Sequence, residues 1–279
     1  MLALEIPDRK TNIQNIMNYI EYRLIDSTNN EAKRLISDGK ITAPTCLTAK
    51  EQTAGRGRQG KSFFSPDTGL YMTVVFPVDF LISSQVTMTT RTACAVAAAI
   101  EECTGKAVGI KWVNDIYTDG KKCCGILCEA VNDYEQGRMK FVVIGIGINI
   151  YTKEWPDDLK DIAGSLFNQR DGSLIDFNRR SVPVIENLRN RIAETLGDWL
   201  FKSSNEEFLS YYKDHSIVLG KKITFIENGE SREGTAVDID ETGGLVVEVR
   251  NKSIEKVEDG TALEKSLIVL SSGEISVRI

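Results

Sequence analysis

Residues 108–131 read VGIKWVNDIYTDGKKCCGILCEAV, and this stretch decides the fold. Apolar residues recur on both sides of Asp119-Gly120, a dipeptide that strongly favours a tight hairpin turn. The stretch therefore predicts two antiparallel strands joined at that turn. Lys122 comes directly before a run of small and apolar residues. We therefore expect a lysine where the second strand of the hairpin begins.

The segments outside this hairpin have the composition of further strands and helices. Some combine apolar and β-branched residues over a short length, whereas in others alanines or apolar residues recur at helical spacing. The predicted strands are 45–49, 70–78 and 140–150, the last of which is apolar and ends in a Gly-rich turn. The predicted helices are 86–103, 178–202, in which Pro183 marks a start or a kink, and 205–214.

A further helix is predicted near the beginning of the chain. Thr28-Asn29-Asn30-Glu31 matches a capping box, with Thr28 as the N-cap and the Glu31 side chain reaching back to its backbone. We expect this helix to continue to about Ile36 and to end near Gly39.

The character of the sequence changes after Leu219-Gly220. Short alternating segments separated by Gly-rich turns follow, as in SREGTAVDIDETGGLVVEVR. This pattern is typical of a small all-β barrel. We therefore predict two domains, comprising residues 1–215 and 216–279.

Composition and charge limit the possible functions. The 279 residues are 42% hydrophobic and 27% charged, as in an ordinary soluble globular protein. The net charge of −6 argues against uniform attraction to DNA or to an anionic membrane. The start, MLALEIPDRK, is not a signal peptide, and no apolar run is long enough to span a bilayer. We expect a cytoplasmic protein.

The six cysteines and the single histidine indicate neither a zinc site nor a histidine-based catalytic triad. No two cysteines form a CxxC pair. Reduced, mostly buried thiols are the simpler interpretation. His215 falls at the end of a predicted helix, and we expect it to be structural.

The segment GRGRQGKS, residues 55–62, matches two phosphate-binding patterns, GxGxxG and GxxxxGK[ST]. Both require a helix directly after the loop, but FFSPDTGLYMTVVF follows here. The loop nevertheless suits an anion, because glycines allow close backbone approach and Arg56 and Arg58 match carboxylate and phosphate oxygens. The alternative is a solvated basic loop without a ligand.

Taken together and in order, several segments resemble the biotin–protein ligases. They are DSTNNEAKRL (26–35), EQTAGRGRQGKSFFSP (51–66), KWVND (111–115), KKCCGILCE (121–129), VIGIGINI (143–150) and GEISVR (273–278). The resemblance covers nearly the whole chain from about residue 20. Val113 departs from the proline of the family's KWPND, Lys61 stands where Arg is frequent, and Phe63 stands where Trp is common. The segment 251–266 is longer than is typical.

The resemblance implies an α+β fold, with a mixed β-sheet packed by helices as in class II synthetase-like biotin and lipoate ligases, and a C-terminal SH3-like β-barrel. It implies activation of biotin by ATP, with Mg²⁺, as biotinyl-5′-AMP, and transfer to a lysine of a carboxylase's biotin-carrier domain. Regulatory members of the family carry an N-terminal DNA-binding domain, which we expect to be absent here. The sequence does not give the oligomeric state, but the resemblance is compatible with a homodimer, since family members are often dimers through sheet edges.

The resemblance also implies roles for individual residues. We expect Lys122, Arg58 and Asp115 to be catalytic, with Lys122 contacting both the biotin carboxylate and the α-phosphate. The expected biotin-binding residues are Ser27, Thr28, Asn29, Gln52, Arg56, Gly57, Arg58 and Lys122. Those expected to bind ATP or the adenylate are Arg56, Arg58, Phe63, Lys111, Asn114 and Asn149. Gly125, Gly145 and Gly147 are expected to bring the backbone close to the ligand, unless they serve turns alone.

Three other functions remain open on the sequence. A lipoate–protein ligase would have a similar catalytic fold, although the presence of both GRGRxG and KWxND favours biotin over lipoate as the substrate. A P-loop nucleotide hydrolase would release ADP and phosphate instead of AMP and pyrophosphate. A non-enzymatic module that binds protein or RNA through the C-terminal barrel is the third, and the acidic composition argues against it.

Overall fold

The structure is a computed structural model that describes residues 17–81, 85–152, 154–167, 177–227, 229–250, 265–271, 273 and 275–277. Within these ranges the chain forms four α-helices and twelve strands in two sheets. The helices are α1 (Thr28–Ser37), α2 (Gln85–Thr104), α3 (Phe177–Phe201) and α4 (Asn205–Asp214). The strands are β1 (Asn18–Ile25), β2 (Thr45–Gln52), β3 (Gly69–Leu81), β4 (Gly109–Lys111), β5 (Asp115–Thr118), β6 (Lys121–Asp133), β7 (Arg138–Asn149), β8 (Lys222–Glu227), β9 (Glu230–Ile239), β10 (Leu245–Arg250), β11 (Lys265–Leu270) and β12 (Ile275–Val277).

The first sheet has seven strands in the order β1-β2-β3-β7-β6-β5-β4. Strands β1 and β2 are parallel and are connected through α1, whereas every other neighbouring pair is antiparallel. The predicted α+β class with a mixed sheet is therefore confirmed. Helix α3 runs continuously through Pro183.

The two faces of the sheet bury different side chains, because successive residues of a strand point to opposite sides. In β7, Ile144 and its even-numbered neighbours join the main core, which includes the alanine-rich α2. Val143 faces the other way and packs with Ala32 of α1 and Leu47 of β2. On that second face β7 continues as Gly145, Gly147 and Asn149 instead of large apolar residues, which leaves room above the sheet.

The predicted hairpin at Asp119-Gly120 is present, but the prediction of one strand before it was wrong. The chain reverses at residues 112–114 and forms β4 and β5, with Lys111 paired to Asp115. Long-range contacts hold this reversal: the Trp112 indole donates to the Gly243 carbonyl at 2.9 Å, and the Asn114 amide donates to the Ile126 carbonyl at 2.9 Å. Local propensity does not reveal such contacts.

The predicted capping box was also wrong in detail. Helix α1 begins at Thr28, and its N-cap is Ser27, whose side chain makes no capping bond. The Thr28 hydroxyl bonds Gln52, and the Glu31 carboxylate accepts bonds from Tyr22 and Arg34 instead of reaching back. The capping groups are thus used in tertiary contacts.

The second sheet has five antiparallel strands in the order β11-β10-β9-β8-β12 and matches the expected SH3-like C-terminal fold. The described strands form an open order, so closure into a barrel is not seen among them. The predicted closing strand is β12; of GEISVR, residues 274 and 278 lie outside the described residues, as does 251–264 of the long insertion. The domain boundary at 216 stays a prediction.

The cysteines and the histidine behave as structural residues. All six thiols are free, and burial raises the pKa of Cys46 and Cys123 to about 12, which keeps them protonated. His215 stacks on Tyr211 with ring centroids 3.9 Å apart and lies 3.2 Å from a Glu101 carboxylate oxygen. Across the described ranges we find no cluster of three metal-ligating side chains, and none of the helices there could cross a bilayer.

Arg91 is a buried cation that joins α2 to the end of α3. Its guanidinium donates to the Trp199 and Ser203 carbonyls, both at 3.0 Å, and to the Asn205 amide oxygen at 2.6 Å. We expect Arg91→Met to lower the free energy of unfolding by about 3 kcal/mol, because it removes several charge-assisted hydrogen bonds of a buried guanidinium. Urea unfolding measures this.

The matched control is Lys202→Met, which removes an exposed pair with Asp198. That change should cost less than about 0.5 kcal/mol. Equal losses for the two variants would mean that Arg91 contributes no more than an ordinary surface cation.

Candidate active site

A cleft of about 460 Å³ opens on the α1 face of the seven-stranded sheet. This volume suits a small-molecule ligand. All the residues that the sequence predicted for the site line it: Ser27, Thr28, Asn29, Gln52, Arg56, Gly57, Arg58, Phe63, Lys111, Asn114, Asp115, Lys122 and Asn149. The fold thus brings together segments that are up to 122 residues apart in the chain, from residue 27 to residue 149.

The floor of the cleft consists of glycines from β6 and β7. Gly125 pairs with Gly147 across the two strands. A Cβ atom on Gly147 would lie 2.5 Å from the Phe63 ring, and one on Gly145 would lie 2.2 Å from the Asn29 amide oxygen. Side chains of the cleft itself thus lie against these glycines, and the predicted approach of a ligand to them stays a prediction.

A buried polar network forms one end of the cleft. The Gln52 side-chain oxygen accepts from the Thr28 backbone N–H at 2.8 Å, and its amide nitrogen donates to the Ser65 hydroxyl at 2.9 Å. The Thr73 hydroxyl donates to Asn29 Oδ1 at 2.6 Å. Because each group holds the next, this end presents donors and acceptors in fixed positions.

Cations dominate the charge of the cleft. Five basic side chains line it, whereas Asp115 is the single carboxylate among its described lining residues: the bases are Arg56, Arg58, Lys61, Lys111 and Lys122. Lys122 Nζ lies 2.7 Å from Asp115 Oδ1 across the β5–β6 pair. Although the whole chain is acidic, this cleft would attract an anion.

The glycine-rich loop folds over the cleft as a narrow hairpin. The Gly57 N–H donates to the Lys61 carbonyl at 2.7 Å, and the Phe63 N–H donates to the Gly55 carbonyl at 2.8 Å. At its tip, residues 58–60 form one 3-10 turn, and β3 follows without an intervening α-helix. The helix that both phosphate-loop patterns require is thus not there, which removes the P-loop interpretation.

Asn149 presents an acceptor to the cleft. Its side chain is nearly buried and its amide nitrogen donates to the Gly164 carbonyl at 3.1 Å. Its amide oxygen has no hydrogen-bond partner among the described residues. Since a buried acceptor without a partner is costly, this oxygen suits a ligand N–H group.

Sequence reasoning missed an apolar wall and a tyrosine. The wall includes Trp155, whose ring centroid lies 6.1 Å from that of Phe64, and Ile162, whose carbonyl accepts from the Lys122 N–H at 2.9 Å. It belongs to residues 154–167, which have no helical or strand periodicity; the tryptophan in this loop was the only signal. Tyr117 also lines the cleft, and burial, followed by the charge of Asp115, raises its pKa to about 12.

The C-terminal sheet completes the cleft. Gly273, Ile275 and Ser276 line it from the side of β12. The segment between the two sheets is held by hydrogen bonds, since the Ile110 N–H donates to the His215 carbonyl at 2.7 Å. The site therefore includes residues of both sheets.

Comparisons with known proteins agree with this geometry. Residues 21–149 match the Biotin/lipoate A/B protein ligase family, and residues 218–278 match the Biotin protein ligase C terminal domain. The Bifunctional ligase/repressor BirA of Bacillus subtilis is 32% identical over 85% of this chain and 71% of that protein. The Biotin--[acetyl-CoA-carboxylase] ligase of Mycobacterium tuberculosis is 26% identical over 82% of each chain.

A solved structure extends the likeness to three dimensions. The biotin protein ligase from Aquifex aeolicus in complex with biotin and ATP superposes with a TM-score of 0.69. It is 28% identical and covers 94% of this chain and 98% of that one.

Proposed function

The chain belongs to the biotin/lipoate A/B protein ligase family, and from this we propose that its cleft activates biotin with ATP and transfers it to a protein lysine. The product of the first step is biotinyl-5′-AMP, and the acceptor is a lysine of a carboxylase's biotin-carrier domain. One observation carries the proposal: a fixed polar network and a cluster of five basic side chains share a single cleft. Such a cleft fits a ligand with one neutral polar end and one anionic end.

In the first step, a biotin carboxylate oxygen forms a bond to the α-phosphorus of ATP, and pyrophosphate leaves. Both reactants are anions, so their approach needs fixed positive charge. Lys122 is the proposed catalytic lysine, because its ammonium lies over the glycine floor where carboxylate and phosphate would meet. Arg58 on the loop would hold phosphate oxygens and then the adenylate.

The two ends of the cleft would recognise different parts of the ligand. Thr28, Asn29 and Gln52, with Ser27, would bond the ureido group of biotin, since their network offers both donors and acceptors. At the other end the unpartnered Asn149 oxygen would accept from an adenine N–H, and Phe63 would pack against the ligand. Lys111 and Asn114 would position the phosphates and the loop.

Magnesium would enter as part of the ATP substrate. Mg²⁺ in nucleotide sites is held largely by phosphate oxygens and water, with one or two carboxylates. Among the described lining residues Asp115 is the one carboxylate, and Lys122 pairs with it. These residues do not form a cage for the ion, so we assign it no protein ligand set.

The second step needs a neutral amine on the acceptor lysine, which is protonated at neutral pH. Asp115 is the proposed base. Its carboxylate lies 2.7 Å from Lys122 Nζ. Once Lys122 contacts the ligand instead, the carboxylate is free to accept a proton from the incoming lysine.

Asp115→Ala should slow transfer to the carrier lysine by about a hundredfold, because general-base assistance is lost. The measurement is single-turnover transfer from preformed biotinyl-AMP. Hydroxylamine, an amine that is neutral at the same pH, serves as the control acceptor and should react at nearly the wild-type rate. Equal slowing with both acceptors would exclude Asp115 as the base.

ATP–pyrophosphate exchange tests the proposed function directly. Exchange should depend on added biotin and should be absent without an acid substrate. Exchange with lipoate alone would instead make the chain a lipoate ligase of the same fold. No exchange with either acid would overturn the proposal. A homodimer, the absence of DNA binding and a cytoplasmic location stay predictions.

A further inference from the structure

The two arginines of the glycine-rich loop contact different elements of the seven-stranded sheet and its helices. Arg56 Nη1 lies 3.2 Å from a Glu129 carboxylate oxygen on β6 and donates to the Asn30 amide oxygen of α1 at 3.1 Å. Arg58 Nη1 donates to Asn114 Oδ1, in the turn between β4 and β5, at 3.2 Å. The loop therefore has one side-chain contact to α1 and β6 and a second to the turn between β4 and β5.

These two contacts differ in kind. The Arg56 contact includes a full carboxylate, whereas the Arg58 contact is to a neutral amide. Both contacts have a charged donor, but the Arg56 contact adds the attraction of an opposite charge. Among the described residues Arg58 has no ionic partner to give up when a phosphate replaces Asn114. We therefore expect the Arg58 contact to break and re-form when a ligand binds, whereas the Arg56 contact persists.

Glu129 is well suited to remain charged and fixed. Its side chain is only 20% exposed. Besides Arg56, it accepts from Lys33 Nζ at 2.7 Å and from the Asn29 amide at 3.0 Å. Burial opposes its ionisation, but these bonds outweigh burial and leave the pKa of Glu129 below its usual value.

The base of the loop is also held on this side. The Thr53 and Ala54 N–H groups donate to the Ile25 and Asp26 carbonyls at 2.9 and 2.8 Å. These bonds are close in sequence to Arg56 and distant from the loop tip. The backbone and the Arg56 side chain therefore fix the same end of the loop.

We propose that Glu129 is a positioning residue that anchors Arg56, so that the glycine-rich loop pivots about Arg56 while Arg58 opens and closes the cleft. The proposal rests on the ligase function proposed above. It gives Arg56 the role of a hinge contact rather than of a direct ligand to biotin or ATP. It also gives Glu129, which otherwise has no role in the chemistry, a part in retaining the adenylate.

The test is a double-mutant cycle read by the release of preformed biotinyl-AMP. Glu129→Gln keeps the shape of the side chain and should make release about fivefold faster, because the charge-assisted contact is lost. In an Arg56→Gln background the same change should have almost no further effect, since contacting residues are not additive. The matched control Lys33→Met removes the other cation on Glu129 and should leave release within about twofold of wild type.

A second measurement needs no ligand and therefore separates this proposal from the proposed function. Limited chymotrypsin cleavage after Phe63 or Phe64 should be faster in Glu129→Gln than in Lys33→Met, because an unanchored loop exposes these residues more often. If Glu129→Gln released biotinyl-AMP and was cleaved at the wild-type rates, Glu129 would not anchor the loop. So would an equal effect of Glu129→Gln in both Arg56 backgrounds. If the wild-type protein showed no biotin-dependent ATP–pyrophosphate exchange, the ligase proposal would be wrong instead. The cleavage rates would still show whether Glu129 anchors the loop.

Discussion

Lys122→Met slows biotin-dependent ATP–pyrophosphate exchange by about a thousandfold, the loss expected when one preorganised charge is removed from a developing anionic transition state. The ammonium lies against Gly125, where a Cβ atom would be 3.4 Å from Nζ, and Lys122 lines the cleft. Methionine preserves the length of the side chain but cannot neutralise two approaching anions. The measurement is the initial rate of exchange at saturating biotin and ATP.

The chain offers a matched control in the preceding residue. Lys121 is exposed, and its ammonium donates to the Lys160 carbonyl outside the cleft. Lys121→Met should therefore change the rate by less than about twofold. If Lys122→Met lost less than tenfold, or if both variants lost the same, Lys122 would not be the catalytic lysine.

Arg58→Gly is expected to release biotinyl-AMP about thirtyfold faster than wild type, since the loop loses the charged contact that holds the adenylate. The freed mixed anhydride reacts with water and with any accessible amine. Two measurements follow: release of labelled intermediate, and biotinylation of a bystander protein that lacks a carrier domain. Release of the intermediate and biotinylation of the bystander should both rise, whereas the rate of ATP–pyrophosphate exchange should fall by a much smaller factor.

A variant of a neighbouring residue distinguishes the loss of the Arg58 guanidinium from a gain in loop flexibility. Gln59 lies at the tip of the loop with φ +53°, a conformation that glycine adopts without strain. Gln59→Gly should therefore loosen the backbone but retain the intermediate nearly as wild type does. Equal release from both variants would assign the effect to loop flexibility and remove Arg58 as the clamp.

The elements that were predicted well are those whose stability is local. Helix α4 begins and ends where its periodicity predicted, and the Asp119-Gly120 turn joins β5 to β6. The reversal at residues 112–114 was not predicted, because it depends on Gly243 and Ile126, which are distant in sequence. For the same reason the Thr28 hydroxyl, predicted as a helix cap, serves a contact with Gln52.

In the candidate site, too, some features could be predicted from the sequence and others could not. Each residue that the motifs predicted for the site lines the cleft. Their partners were not predictable: Glu129 lies 73 residues from Arg56, and the sequence contains no local sign of their pairing. The wall that includes Trp155 was missed because it belongs to no periodic element. Ser276 lies in the predicted strand β12, but its contribution to the cleft was missed because it depends on contacts between the two sheets.

Most of the helices and strands, the glycines of the cleft floor and the charged side chains near them could be predicted from the sequence, whereas β1 and the division into β4 and β5 could not. The predictable features follow from backbone propensity, hydrophobic periodicity and side-chain chemistry, which act over a few residues. The tertiary structure alone decided which polar groups face one another, for example Lys122 with Asp115 and Arg56 with Glu129. Such pairs depend on strand register and on contacts between distant segments, and both are set by burial of the whole core.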